Sequence, residues 1–151
     1  MKGIALMLET VLALLLAWVL VFVVPLRRIQ MLFGTIIEPG LDGAISPNPE
    51  AARARAVAWR VLFVANRLPW HSTCLVRALA GGLLMRRRGI MGAVIRFGVK
   101  REAGALTAHA WLLLNGEILL GGEEAASYVP LADMGPRTTK GGSPPACQPP
   151  P

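Results

Sequence analysis

The stretch STCLVRALAGGLLMRRRGIMGAVIRFGV, residues 72–99, decides the fold. Ser72 or Thr73 can cap a helix that starts at about Cys74. The helix should run to Arg88, with Arg86, Arg87 and Arg88 in its last turn and Gly89 just beyond, the order a helix C-terminus favours. After Gly89 the period changes from 3.6 to 2, and Ala93–Val99 reads as a strand. Inside the helix, Gly81 and Gly82 each cost about 1 kcal/mol relative to Ala, so they point to a close approach by a neighbouring element.

Further strands follow. Leu106–Leu114 and Glu117–Gly121 flank Asn115-Gly116, a strong two-residue hairpin signal. On the N-terminal side, Ala54, Val57, Val61, Val64 and Leu68 recur at helical spacing between Ala51 and Leu68, while Arg53, Arg60 and Arg67 recur every seven residues. That segment is a helix with one apolar and one basic stripe, ended by Leu68-Pro69-Trp70. Helices first and an antiparallel sheet afterwards define an α+β layout.

The ends of the chain differ in composition from this centre. Residues 4–26, IALMLETVLALLLAWVLVFVVPL, carry Glu9 and Thr10 as their only polar residues. As one helix they reach about 35 Å, enough for a bilayer core, whereas the uninterrupted apolar run Val11–Val24 reaches only about 21 Å. Two readings stay open: a membrane span with its Arg27-Arg28 end in the cytoplasm, or a long core or interfacial helix. Pro25 should stop the helix, and residues 26–33 suit a short basic amphipathic turn. The chain thus divides into an apolar helix and turn (1–34), a Gly/Pro-rich linker (35–49), a domain (50–133) and a Pro/Gly-rich tail expected to be disordered (134–151).

With 151 residues, 54% hydrophobic and 17% charged, and mean hydropathy +0.50, the chain has length for one ordinary domain and too much apolar material to be disordered throughout. Cys74 and Cys147 do not make a disulfide scaffold, so a reducing compartment is the simpler setting. The net charge is +7, and Glu50–Arg101 holds eleven Lys/Arg against one acid, Glu50. This block suits an anionic partner or merely solvates the outer faces of helices.

Cys74 falls in the first turn of its helix, where unpaired backbone N–H groups and the positive end of the dipole suit an anionic sulfur. A nucleophilic cysteine needs a base, and the sequence holds His71 and His109. His109 lies in a strand, within Ala108-His109-Ala110-Trp111, and a strand histidine facing a helix-start thiol is the papain-like arrangement. Metal catalysis is not expected, since His71 and Cys74 have no second Cys/His pair to complete a site. No nucleic-acid-binding motif is present.

The segments RLPWHSTCLVRALA (67–80), LMRRRG (84–89) and AHAWL (108–112), in this order and spacing, resemble the lasso-peptide leader peptidases, which are transglutaminase-like cysteine proteases of ribosomal peptide biosynthesis. The similarity runs from about residue 50 to Leu131, and loosely to the N-terminal helix. It implies a transglutaminase-like/papain-like core of helices packed on a small antiparallel sheet, with Cys74 as nucleophile and His109 as base. The implied activity is removal of a leader from a precursor peptide. Implied partners are that precursor, a leader-recognition protein and an asparagine-synthetase-like lasso cyclase. ATP is implied by the resemblance alone, as no phosphate-binding motif occurs in the sequence. The cysteine usage and the Arg27-Arg28 end of the apolar segment favour the cytoplasm, with attachment to the inner face of the membrane through residues 4–26 left open.

The family's third catalytic member, an Asp about twelve residues after the histidine, is replaced here by Gly121. Continuing the hairpin register from Leu114 opposite Glu117 sets His109 opposite Gly122 and puts Glu124 on the same face, within reach of the ring. Glu123 would serve only if the glycine pair forms a bulge, and a Cys–His dyad without an acid is the other possibility. The Cys74 N–H, with His71 or Ser72, would meet an oxyanion, and Trp70 and Trp111 would wall the substrate groove or simply pack.

Overall fold

A computed structural model describes residues 2–25, 28, 34, 36–37, 39, 49–70 and 72–135. Helix α1 spans Lys2–Val23 and stops two residues before Pro25, because a residue preceding proline is pushed out of the helical region. Helix α2 is Ala51–Ala65 and α3 is Cys74–Arg87. Thr73 caps α3, its Oγ1 accepting from the Val76 N–H at 3.3 Å. At the other end Gly89 adopts φ +71°. Its N–H donates to Arg86 O and the Ile90 N–H donates to Met85 O, the paired closing bonds that a left-handed residue permits.

The sheet is antiparallel and five-stranded, in the order β1 (Ile36–Ile37), β5 (Val129–Met134), β2 (Ala93–Glu102), β3 (Ala105–Leu114), β4 (Glu117–Leu120). Both long hairpins close through two residues of positive φ, Ala103-Gly104 and Asn115-Gly116, the turn geometry whose twist matches the strands. Asn115-Gly116 was expected. The turn at Ala103-Gly104 and the strands β1 and β5 were not, since Ala-Gly is a weak turn signal and Val129–Met134 contains Pro130. Met134, assigned to the tail from composition, is 1% exposed and pairs with both Ile36 and Ile95. Residues 136–151 and most of the linker lie outside the described residues.

Helix α3 packs on the sheet face that carries Ile95, Leu112, Leu114 and Leu120. A Cβ on Gly81 would lie 2.6 Å from Leu120 Cδ1 and 2.8 Å from Leu112 Cδ2, so this glycine allows the close approach expected of it. The opposite face carries a small second cluster of Trp111, Leu113 and Ala125 with Tyr128 against it. Arg96 and Asp133 form a bidentate buried pair across β2 and β5, at 2.7 and 3.0 Å.

Helix α1 is long and apolar enough to cross a membrane by length and composition, yet one side of it belongs to the domain core. Thr10, Leu14 and Ala17 are fully buried, and Leu14 and Ala17 share one cluster with Val57, Val61, Leu79 and Met85. Glu9 is paired with Arg87 and Arg88 at the end of α3. The division at residue 34 is therefore one of composition and not of the core. Arg60 of α2 and Arg67 just beyond its end donate back to Ala56 O and Phe63 O of that helix, and Arg55 ties the helix to Glu117 of β4 at 2.6 and 3.0 Å.

Candidate active site

Thr73 has extended backbone angles and Cys74 is the first residue of α3, so the half-buried, unpaired thiol sits where the first-turn N–H groups lack intrahelical acceptors. Arg77, one turn further on, donates from Nε to Ser72 Oγ at 2.9 Å. Cys74, Ser72 and Arg77 line one wall of a cleft of about 700 Å³, and His109 with Gly121, Gly122, Glu123 and Glu124 line another part of it. Asn66 and Leu62, at the end of α2, and Ile118–Leu120 complete the lining. No thiol–imidazole hydrogen bond joins Cys74 and His109 in this arrangement, and in an unliganded cysteine enzyme such bonds are often long.

His109 alternates with Ala110, which faces the helices, so its ring lies on the other face of the sheet, with Trp111 and Tyr128. It reaches the cleft because β4 ends at Leu120, opposite Leu112. The edge of β3 beside His109 consequently meets Gly121 and not a strand residue. The ring stacks on Trp111 (centroids 5.8 Å apart) and against Tyr128 (5.1 Å). Trp111 in turn lies over Gly98, where any Cβ would come within 2.5 Å of the indole.

The third contact of the imidazole is a backbone group. His109 Nε2 lies 2.9 Å from Gly121 O. A carbonyl can only accept, so Nε2 carries the proton in the neutral ring and Nδ1 keeps the lone pair. Gly121 stands at φ +76°, and a Cβ there would meet Ala110 O at 3.0 Å, Trp111 Cβ at 3.1 Å and the His109 ring nitrogen at 3.3 Å. At the position where the resemblance calls for an acid, the chain has a residue whose backbone takes over contact with the histidine.

The hairpin register departs from the simple extrapolation. Leu114 does face Glu117, but a bulge between Leu112 and Leu113 brings Leu120, not Leu119, opposite Leu112. The chain then turns into the short helix α4, Gly122–Ala125, so strand parity does not extend to Glu124. The Glu124 side chain lines the cleft without a hydrogen bond to the ring, while its carbonyl accepts from Ser127 Oγ at 2.8 Å. Glu123 lines the same wall. Neither Trp70 nor Trp111 lines the cleft: Trp111 is turned to the outer face and backs the histidine, and Trp70 is half-buried in the middle of the α2–α3 connection. His71 lies outside the described residues.

Sequence reasoning did not single out Arg77, although its spacing of three from Cys74 puts it on the same helix face. Asn66 and Tyr128 had no sequence signal, since only the packing of α2 and of the α4–β5 segment brings them in. No group of His, Cys, Asp and Glu residues suited to a metal ion occurs among the described residues. The cleft fits ATP poorly. Among the described residues Arg77 is the only arginine or lysine on its walls, Glu123 and Glu124 face the same space, and these carboxylates oppose a triphosphate.

A cysteine opening a helix that packs on an antiparallel sheet, with a strand histidine at the same cleft, defines a cysteine-protease-like α+β fold. The chain belongs to the Transglutaminase-like superfamily, whose Transglut_core3 family model matches residues 17–133. The match begins inside α1 and ends in β5, so it takes in part of the apolar helix as well as the region from Glu50. No curated protein and no solved structure matches the chain significantly.

Proposed function

We propose that the protein is the leader peptidase of a lasso-peptide pathway, a cysteine protease that cuts the leader from a ribosomal precursor peptide. The observation carrying this reading is that Cys74 and His109 open on one cleft with the imidazole held by Gly121 O, in a chain of the Transglutaminase-like superfamily. His109 Nδ1 takes the thiol proton and Sγ bonds to the scissile carbonyl carbon. The C–N bond then breaks, with the leaving amine receiving that proton, and water hydrolyses the thioester. The Cys74 N–H, with the Ser72 hydroxyl or His71, would meet the developing oxyanion. Glu124, which lines the cleft together with Glu123, is the acid proposed to assist the histidine.

The resemblance supplies the rest of this reading: a precursor peptide as substrate, a leader-recognition protein and an asparagine-synthetase-like cyclase as partners, and ATP as a requirement of maturation. The cytoplasmic location rests instead on the cysteine usage and on Arg27-Arg28, and attachment to the inner face of the membrane would run through residues 4–26. No step of the chemistry runs through ATP, because the cleft does not suit it. The test is to combine the purified chain with its cognate precursor, the recognition protein and ATP, and to follow precursor mass. Cleavage lost in Cys74→Ala and His109→Ala, with precursor binding kept, is the expected result. Intact precursor with the native protein, under conditions where the recognition protein binds leader, overturns the reading.

A glycine in place of the family's acid favours one other reading, a catalytically silent peptide-binding or scaffold subunit of the same complex. It requires that Cys74→Ala leave the yield of mature peptide unchanged.

A further inference from the structure

Away from the cleft, the outward side of α1 has no role in the chemistry. Ile4, Leu8, Leu12, Leu15, Val19 and Phe22 follow one another at spacings of three or four residues and are each 40–69% exposed. They form one apolar stripe about 27 Å long, opposite the side that Thr10, Leu14 and Ala17 commit to the core. Trp18, beside the stripe, is also exposed and packs on Phe22 with ring centroids 5.1 Å apart.

A basic border accompanies the stripe. Glu9 sits on the flank of α1 between the buried and exposed sides and is met by Arg87 Nε at 2.9 Å and by Arg88 Nη2. Arg53 donates to Arg88 O at 3.0 Å. Arg60 is in the same field: burial first, and then the Arg88 charge, hold its guanidinium below the ordinary arginine range, with Glu9 opposing. Four arginines thus gather with two carboxylates, Glu9 and the Glu50 that pairs with Arg53 at 3.8 Å, at the edge of an exposed apolar surface.

We propose that α1 docks the protein on an anionic lipid surface, lying in the plane of the interface with this stripe among the acyl chains and the arginine border at the headgroups. A monolayer surface is what an apolar stripe with a cationic edge matches. Crossing the bilayer would strip Leu14 and Ala17 from the core and part Glu9 from Arg87 and Arg88. A two-fold pairing of α1 with a second copy would bring the arginine borders of two chains of charge +7 together. The inference takes up the membrane attachment of the proposed function, but it stands on α1 and not on Cys74.

The experiment is flotation of the purified full chain with vesicles of phosphatidylcholine alone and with 30 to 40% phosphatidylglycerol, roughly the anionic content that gives a strong surface potential. Binding should need the anionic lipid and weaken with salt. Leu12→Gln/Phe22→Gln should reduce it at least about tenfold, and Arg53→Gln/Arg87→Gln by about fivefold per charge. Circular dichroism checks that these surface variants fold, and Cys74→Ala should bind as the native chain does. Bound protein should be released by alkaline carbonate. No binding to anionic vesicles, equal binding to neutral ones, or retention after carbonate each overturns the proposal. So does a dimer in solution that Leu12→Gln/Phe22→Gln dissolves. Loss of peptidase activity with vesicle binding intact would count against the proposed function alone.

Discussion

The Nε2 of His109 and the carbonyl oxygen of Gly121 lie 2.9 Å apart, and this bond makes a backbone group the partner that a carboxylate supplies elsewhere. A carbonyl can orient the ring and select the tautomer with Nδ1 free. It stabilises an imidazolium less than a full negative charge would. The position depends on glycine, because the αL backbone at residue 121 aims the carbonyl at the ring and leaves no room for a Cβ.

Gly121→Ala should therefore lose both stability and activity. The strained backbone and the contact with Ala110 O cost about 1–3 kcal/mol, seen in urea denaturation. Displacement of the carbonyl should lower kcat for precursor cleavage at least about tenfold. Gly121→Asp, which restores the family's residue type, should also be less active than the native protein, since its carboxylate would start from the wrong backbone.

Glu124→Gln separates assistance by an acid from a dyad supported by a carbonyl. With Gly121 O holding the ring, cleavage should stay within about threefold of native and the pH profile should keep its shape. A loss of about a hundredfold would make Glu124 a working member of the site.

Gly81 is the point where α3 meets β3 and β4. In Gly81→Val the new side chain meets Leu112 and Leu120, both buried. Overpacking should cost about 1–3 kcal/mol, read as a lower urea midpoint, and the strain should be felt at Cys74 through the shared helix as a lower kcat.

The Arg96–Asp133 pair is 8% and 6% exposed at its side chains. Asp133→Ala removes the bidentate partner of a buried guanidinium and should destabilise by about 3–5 kcal/mol. Measurement by chemical denaturation should find a much larger loss than for Arg55→Ala, whose partner Glu117 is at the surface.

Acid should loosen the tie between α2 and β4. The hydrogen bonds from Arg55, and then its charge, hold the Glu117 carboxyl below the ordinary glutamate range. A depressed carboxylate contributes stability at pH above that range and loses it as pH falls through the folded value. The difference in Tm between the native protein and Glu117→Gln should be present at neutral pH and shrink below the ordinary glutamate range.

Much of this molecule is legible in its sequence. The helix starting at Thr73-Cys74 and ending at Gly89, the change of period after it and the Asn115-Gly116 turn are local events. They are governed by capping, side-chain spacing and φ preferences within a few residues. Strand β5 was not legible, because Val129-Pro130-Leu131 lacks the alternation of a strand and is ordered only by pairing with β2.

For the same reason the site divided in two. Cys74 and His109 could be picked out by residue type and local setting, whereas their surroundings came from contacts distant in the chain. One bulge in β4 and the early end of that strand changed the face presented by everything after Leu120, which no count of alternating residues can foresee. Composition established that α1 is apolar. Only packing decided which side of it is core, because a uniformly apolar helix carries no periodicity that says where its neighbours are. The Glu9 contact with Arg87 and Arg88, from opposite ends of the chain's helical half, set that side.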